Sequence, residues 1–355
     1  MLPHITPLHD FHTKHRAKMA QFAGYDMPIE YAGIKTEHLH VRQNCGIFDV
    51  SHMGQFILEG EGAAKVLSHM TPTNFKTAKI GTCYYTVLTN VHGGIEDDLI
   101  ITKLAEEQFY VVVNAARKNL DEAWILENIE AHPTLTFSKL GNRVLIAVQG
   151  PKAESVLQKY LGTGPSHLKK MQCLQVGDTI ISRTGYTGED GFEISMLDED
   201  GVALWHALAE DENVMPIGLG ARDSLRLEAG FPLYGHDLTT ETTPIEASLG
   251  WIISKDHETF IGAEIILDQK HRNNTDIKRI GITLKGKGIL REGYKVLSTD
   301  GLHIGKLTSG GYCPTTEKSI GQAYIHNTHA EIGTPVLVEI RGKLVEAKLT
   351  GFRFL

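Results

Sequence analysis

Apolar and β-branched residues flank a glycine pair, Gly93-Gly94, on both sides. Residues 84–89 before the pair and 99–101 after it are rich in aromatic and β-branched side chains, which is typical of strands. Glycine adopts positive φ angles without steric cost, and Gly-Gly suits a tight hairpin turn of the primed type. The pattern therefore predicts a β-hairpin, which continues into a third strand over residues 109–113.

Helical periodicity, with apolar residues every three or four positions, alternates with further strand patterns along the first 258 residues. The predicted helices cover residues 34–43, 62–70, 117–129, 152–161, 201–209 and 219–229. The predicted strands cover residues 47–60, 143–148, 178–184 and 192–196. This mixture predicts an α+β fold in the first part of the chain.

The pattern changes after a polar connecting region at residues 259–275. Six short strands separated by glycines follow, at residues 279–284, 295–297, 305–308, 320–325, 335–340 and 344–349. Closely spaced short strands are typical of a small β-barrel or sandwich. We therefore expect two regions, residues 1–258 and a separate C-terminal barrel domain at residues 276–355.

Composition and charge restrict the classes of function. A net charge of −8 gives no electrostatic case for nucleic acid or an anionic membrane as a partner. The four cysteines are far apart, form no Cys-x-x-Cys, and indicate no zinc site, redox pair or disulfide framework. The chain shows neither a signal-peptide pattern nor an apolar run of the ~18 residues that cross a bilayer. These features predict a reduced, cytoplasmic protein.

Three successive carboxylates, Glu96, Asp97 and Asp98, enter the strand after the glycine pair. They are candidates for a metal site, an acid/base site or a solvated strand start, because burial of a carboxylate is costly without a partner. No His or Cys lies nearby at ligand spacing, and no Ca²⁺-loop pattern is present. Strand alternation sends Asp97 and Asp98 to opposite faces, so one of the two can face a given pocket.

Three other motifs are weaker on their own. The loop at residues 185–191 is glycine-rich, but it lacks a P-loop lysine and precedes a strand, so a plain hairpin is the usual interpretation. Arg222 and Arg226 lie on one helical face, where they can bind a carboxylate, form structural ion pairs or face solvent. The neighbours Asp49, Ser51 and His52 cannot form a hydrolase triad, since adjacent strand side chains diverge.

The order of the motifs is more informative than any one of them. The chain contains Phe48-Asp49-Val50-Ser51-His52-Met53, Gly93-Gly94 with Asp97-Asp98-Leu99, Val113-Asn114-Ala115, Ala147-Val148-Gln149-Gly150-Pro151, Thr184-Gly185-Tyr186-Thr187-Gly188-Glu189, the run from Gly220 to Gly230, Leu233-Tyr234-Gly235 and Thr308-Ser309-Gly310. In this order they resemble the T-protein family, the aminomethyltransferases of the glycine cleavage system. The resemblance extends from about Thr6 to near the C-terminus.

The resemblance implies a three-lobed fold around a central cavity for tetrahydrofolate, which acts as co-substrate. It also implies a lipoylated H-protein as the partner that delivers an aminomethyl group, a functional link to the P- and L-proteins, and no metal. The implied products are ammonia, 5,10-methylenetetrahydrofolate and dihydrolipoyl H-protein. The folate carries the one-carbon chemistry, and the protein supplies orientation and charge.

The family's site residues are carried over position by position. Asp98 matches the catalytic acid that hydrogen-bonds the folate near its reactive nitrogens. The positions that match the folate pocket are Glu193, Arg222, Asn114, Tyr186, Tyr85 and Met53. Two departures stand out: Glu96 replaces an expected aliphatic residue, and no tyrosine follows Tyr324, so no C-terminal site residue is carried over.

Two alternatives remain open at this point. A relative within the same superfamily that does not transfer aminomethyl groups would carry a Lys-Gly-Cys-Tyr-type motif or a dinucleotide fingerprint, and the chain has neither. A folate- or H-protein-binding module without turnover would share the motifs, since a sequence does not measure a rate.

Overall fold

In the computed structural model, which describes residues 2–355, eight α-helices are interspersed with nineteen β-strands. The helices α1–α8 are His9–Lys14, Ile34–Gln43, Ala63–Met70, Lys118–Ile129, Ala153–Leu161, Asp198–Ala209, Leu219–Ala229 and Ala263–Arg272. The strands β1–β19 are Lys18–Phe22, Tyr25–Glu30, Cys45–Asp49, Gly54–Glu59, Thr82–Thr89, Ile95–Ala105, Gln108–Val113, Thr136–Lys139, Arg143–Gln149, Cys173–Val176, Thr179–Ser182, Gly191–Leu197, Val214–Pro216, Ile277–Leu284, Lys295–Leu297, His303–Cys313, Lys318–His326, Pro335–Ile340 and Lys343–Thr350.

The chain forms two compact units, each built from separate segments. The first comprises Met1–Leu67, Phe75–Tyr85 and Leu99–Asp223. The second comprises Ser68–Asn74, Thr86–Asp98 and Ser224–Leu355. The division between residues 258 and 276 therefore remains a prediction, because the compact units divide the chain at other positions.

A six-stranded sheet organises the first unit, in the order β10-β11-β12-β9-β3-β13. Its strands pair antiparallel except for β13, which runs parallel to β3. On β12, Phe192 and Ile194 belong to the apolar core together with Trp205 of α6. Alternation sends Glu193 and Ser195 to the other face of the sheet, so this face carries the polar chemistry.

The polar face of the six-stranded sheet is held by a buried hydrogen-bond network. Ser195 Oγ and Tyr110 OH both donate to Gln55 Oε1, at 2.5 and 2.7 Å. Gln55 lies on β4 and Tyr110 on β7, two neighbours in the sheet with the order β5-β6-β7-β4-β8. The network fixes β12 relative to β4, because buried polar groups are stable only when they are hydrogen-bonded.

A closed barrel in the second unit has the strand order β14-β17-β16-β15-β18-β19. Its interior is filled with aliphatic side chains, among them Ile282, Val296, Leu307 and Val338. All six strands expected in the C-terminal region are present. The predicted α+β class and C-terminal barrel are thus confirmed.

The single strand predicted over residues 47–60 is wrong. It is divided into β3 and β4, which belong to different sheets. Asp49 Oδ1 accepts a hydrogen bond from the Ser51 backbone N–H at 2.9 Å, and Met53 N–H donates to Val50 O at 3.1 Å. This side-chain turn interrupts an otherwise apolar run, and periodicity alone does not detect it.

The region predicted as a polar connection, residues 259–275, contains the helix α8. Ala263 and Ile266 are its buried residues, whereas most of its other side chains are charged or polar. A helix that buries so narrow a face has a composition close to that of a loop. Among residues 2–355 the structure has no helix long and apolar enough to cross a membrane.

Candidate functional site

Three of the predicted folate residues come together in the first unit. The guanidinium carbon of Arg222 lies 4.7 Å from the centroid of the Tyr186 ring. Burial lowers the pKa of Arg222, while the neighbouring Glu193 carboxylate and Tyr186 phenol act in the opposite direction. Thr184 Oγ1 donates a 2.6 Å hydrogen bond to Glu193 Oε2. A cation, an aromatic face and an oriented carboxylate therefore converge.

The loop that carries Tyr186 is held by a buried glutamine, Gln149. Gln149 Nε2 donates to Thr184 O at 3.0 Å, and Thr187 Oγ1 donates to Gln149 Oε1 at 2.8 Å. A Cβ on Gly185 would lie 1.9 Å from Gln149 Oε1, so any side chain there would displace the amide that holds the loop. The glycine-rich loop is therefore more than a plain hairpin, because its glycine and its side chains fix the backbone on either side of Tyr186.

The start of helix α7 positions Arg222. Gly218 N–H donates to Glu37 Oε2 at 2.7 Å, and Glu37 Oε1 accepts from Tyr31 N–H at 2.6 Å. A Cβ on Gly218 would lie 2.2 Å from Ile29 O, so the backbone approaches too closely for a side chain. Arg222 follows one turn later, with its N–H bonded to Gly218 O at 3.2 Å. The buried Glu37, which sequence reasoning missed, thus anchors the helix of the site.

Arg226 has a structural role. Its Nη1 lies 2.9 Å from Asp237 Oδ2, both side chains are nearly inaccessible, and its Nη2 donates to Ser309 Oγ at 3.0 Å. The helical spacing that placed Arg222 and Arg226 on one face does not distinguish their roles. The structural ion pair considered for this face is present, but its acid is Asp237 rather than a residue of the same helix.

His52 is a second residue to which the sequence analysis assigned no role in the site. It is 3% exposed, and among residues 2–355 its Nδ1 has no hydrogen-bond partner. Burial lowers its pKa to about 4; Arg222 and Lys118 add to this effect, and Asp49 opposes it. His52 is therefore neutral at pH 7. Since Arg222 affects the pKa of His52, the turn that carries His52 and Met53 lies within electrostatic range of Arg222.

The carboxylates of strand β6 alternate as expected. Asp97 is fully buried, whereas Glu96 and Asp98 are half-buried. Asn90 Nδ2 donates to Glu96 Oε1 at 3.0 Å. Glu96, which replaces an expected aliphatic residue, is therefore held at the tip of the hairpin. The opposite burial of Asp97 and Asp98 agrees with their assignment to different faces of the strand.

The hairpin turn before Asp98 is longer than the tight turn of the primed type that Gly93-Gly94 predicts. Residues 90–94 connect β5 to β6, and Gly93 is the glycine with positive φ, at 78°. Ile95 N–H, at the head of β6, donates to Thr239 O and Thr242 O at 3.2 and 3.1 Å. A Cβ on Gly94 would lie 1.8 Å from Thr240 O. Gly94 is thus required for close backbone approach, which fixes the strand that carries Asp98.

The other three predicted pocket residues lie elsewhere in the first unit. Tyr85 is on β5, Asn114 directly follows β7, and Met53 ends the turn between β3 and β4. All three are half-buried. Their role in a common pocket remains a prediction. Among residues 2–355, no group of three or more His, Cys, Asp or Glu side chains is arranged to hold a metal ion.

Comparison with known proteins gives consistent results along the whole chain. Residues 8–257 match the family described as GCVT N-terminal domain, and residues 278–355 match the glycine cleavage T-protein C-terminal barrel domain. The aminomethyltransferase of Chloroherpeton thalassium is 42% identical over 99% of this chain and 98% of its own length. That of Nostoc sp. is 41% identical over 96% and 93%.

A solved structure shows the same fold. The crystal structure of the glycine cleavage system aminomethyltransferase T from Bartonella henselae is 38% identical to this chain, covers 100% of it and 98% of its own chain, and superposes with a TM-score of 0.95. Relatives at this identity are named as enzymes, so a binding module without transfer is not favoured. The chain therefore belongs to the glycine cleavage T-protein family and is an aminomethyltransferase.

Proposed function

We propose that this aminomethyltransferase transfers the aminomethyl carbon from a lipoylated H-protein to tetrahydrofolate and releases ammonia. The observation that best supports this is the convergence of Glu193, Tyr186 and Arg222 in the first unit. The three side chains suit the two ends of a folate, since its pterin edge offers N–H donors and its glutamate tail is anionic.

Glu193 is the residue that we assign to the pterin edge. An ionised carboxylate accepts two parallel N–H bonds, and Thr184 already orients one of its oxygens. Arg222 supplies a positive charge from a buried position, where a charge interacts more strongly with an anion than it does in water. The Tyr186 ring restrains the guanidinium and offers an aromatic surface for a flat ligand.

Asp98 is the catalytic acid of the proposal. A carboxylate beside the reacting nitrogens of the folate stabilises developing positive charge and accepts a proton. Its half-buried position on β6 leaves it accessible, in contrast to Asp97. We assign Asn114, Tyr85 and Met53 to the remaining wall of the folate pocket, as the family resemblance implies.

The partners and the division into domains are also proposals. The similarity to the glycine cleavage system aminomethyltransferase of Bartonella henselae supports an H-protein as donor and a functional link to the P- and L-proteins. The two family matches support a folate-binding region up to residue 258 and a barrel domain from residue 276. The cytoplasmic location remains a prediction from the sequence.

Ammonia release tests the proposal. The protein is mixed with tetrahydrofolate and aminomethyl-loaded H-protein, and ammonia is followed against a sample without the protein. We expect release that requires all three components. Ammonia at the level of the protein-free sample would refute the proposed transfer. Tight folate binding in the same preparation would then favour the binding module.

A further inference from the structure

Cys83 and Cys173 meet, although ninety positions separate them in the sequence. Cys83 N–H donates to Met171 O at 2.8 Å, and Cys173 N–H donates to Gly81 O at 2.9 Å. These two bonds flank an isolated antiparallel bridge between the intervening residues, 82 and 172. By strand alternation, Cys83 and Cys173 project from the same face, diagonally across the bridge.

The two thiols also interact directly. The side chain of Cys173 hydrogen-bonds that of Cys83, and this bond lowers the pKa of Cys83, against the effect of burial. The same contact and burial raise the pKa of Cys173. Cys83 is 2% exposed and Cys173 is half-buried, so Cys173 is the sulfur that a reagent in solution reaches first.

The other two cysteines provide a contrast within the same chain. Cys45 is fully buried, and burial raises the pKa of its thiol to about 12. Cys313 is also buried, and its thiol donates to Glu228 Oε1 at 2.5 Å. Burial and this bond raise the pKa of Cys313 to about 11. A reagent in solution reaches neither of these buried sulfurs, whereas it reaches the half-buried Cys173, so Cys45 and Cys313 are expected to be inert.

We propose that Cys83 and Cys173 are a thiol–disulfide modification site for small-molecule disulfides such as oxidised glutathione. The Cys173 thiol passes its proton to the hydrogen-bonded Cys83 thiolate and attacks one sulfur of the small disulfide, which releases one thiolate and leaves a mixed disulfide on Cys173. The released thiolate takes the proton from Cys83, and the Cys83 thiolate then attacks the Cys173 sulfur, forms the protein disulfide and releases the second half of the small disulfide as a thiolate. The two protein thiols are oxidised, and the small disulfide is reduced.

The local backbone permits this closure. Diagonal neighbours across an antiparallel pair lie ~7–8 Å apart at Cα, and a disulfide needs ~4.4–6.8 Å, so the segments have to approach. An isolated bridge between strand ends restrains them less than a continuous ladder does. Gly81 and Met171, beside the bridge, have φ values of 74° and 63°, which marks a turn rather than a regular strand. The disulfide is therefore expected to form reversibly.

The oxidation is linked to the candidate site. Cys173, Ser182 and Glu193 are directly paired in register across β10, β11 and β12, so they form one row on the same face. Ser182 also hydrogen-bonds the side chain of Cys83. Movement of Cys173 toward Cys83 displaces this row. Provided that the proposed function is correct, the oxidised enzyme binds tetrahydrofolate severalfold more weakly.

Peptide mapping after incubation of the native protein with oxidised glutathione tests the modification. We expect one disulfide that joins Cys83 to Cys173, reversal by dithiothreitol, and free thiols at Cys45 and Cys313. In Cys83→Ser the reaction is expected to stop at a glutathione adduct on Cys173, and Cys173→Ser is expected to stay unmodified at Cys83. The proposal is overturned if both thiols of the native protein stay free, or if Cys173 keeps glutathione while Cys83 is free.

Calorimetric titration with tetrahydrofolate tests the link to the site. Reduced protein, oxidised protein and glutathione-treated Cys173→Ser are compared. We expect the severalfold loss of affinity in the oxidised native protein and no loss in treated Cys173→Ser. Equal affinity of the oxidised and reduced native protein would overturn the link. A reduced protein that binds no folate would refute the proposed function and leave the mapped disulfide unaffected.

Discussion

Arg222 packs its guanidinium over the ring of Tyr186, 4.7 Å from the ring centroid. The contact joins the start of helix α7 to a loop that Gln149 holds by hydrogen bonds on both sides of Tyr186. Both partners are thus fixed by their own surroundings before any ligand binds. Such preorganisation reduces the entropic cost of binding.

Arg222→Ala is expected to weaken tetrahydrofolate binding by ~10-fold or more, because a hydrogen bond to a charged group contributes ~1.5–3 kcal/mol. Arg222→Lys is the matched control: it keeps the charge and loses the planar contact with Tyr186, so an intermediate affinity is expected. Calorimetric titration measures both. Unchanged affinity in Arg222→Ala would remove Arg222 from the folate site.

Arg226→Ala is expected to act on stability instead. It leaves the buried Asp237 carboxylate without its cation, and breaking a buried ion pair costs ~3–5 kcal/mol. Denaturant unfolding of the second unit measures the loss. A variant as stable as the native protein would show that Ser309 and Thr308, which also bond Asp237, suffice to hold it.

The helix pattern predicted that Arg222 and Arg226 share a face, but their separate roles depend on residues distant in sequence. Glu37 anchors the start of helix α7, near Arg222, whereas Asp237 pairs with Arg226, and no local pattern indicates either contact. The same holds for Cys83 and Cys173. They are distant in sequence, and the bridge between two strand ends brings them together. Periodicity located the elements and the barrel well, whereas the turn at residues 50–53 depends on a local side-chain hydrogen bond and helix α8 buries only a narrow apolar face, and periodicity detects neither.

His52 makes stability depend on pH. Its pKa is about 4 in the folded protein and ~6.5 in an unfolded chain, so the unfolded state binds more protons between these values. Stability therefore falls as the pH drops through this window, by ~2 kcal/mol between pH 7 and pH 5. Urea unfolding at pH 7 and pH 5 measures the free energy of unfolding of the native protein and of His52→Leu. The decrease between the two pH values should be smaller by this amount in His52→Leu. An equal loss in both proteins would contradict the low pKa.

Gly94→Ala tests the turn that carries the hairpin. The added methyl group would lie 1.8 Å from Thr240 O, and overpacking of this kind costs ~1–3 kcal/mol. The control is Gly141→Ala, where nothing lies within 4 Å of the added Cβ. Thermal unfolding should show a lower Tm for Gly94→Ala and little change for Gly141→Ala. Equal Tm values would mean that the backbone at Gly94 shifts enough to accommodate the methyl group without loss of stability.

We propose that Asp98, and not its neighbouring acids, carries the chemistry. The most direct test measures ammonia release with tetrahydrofolate and aminomethyl-loaded H-protein for Asp98→Asn beside Glu96→Gln, in which the amide oxygen still accepts from Asn90 Nδ2. We predict that Asp98→Asn folds normally and loses ~10²-fold or more in turnover, the usual scale for an acid/base group, while Glu96→Gln stays near the native rate. Near-native turnover in Asp98→Asn would contradict the assignment.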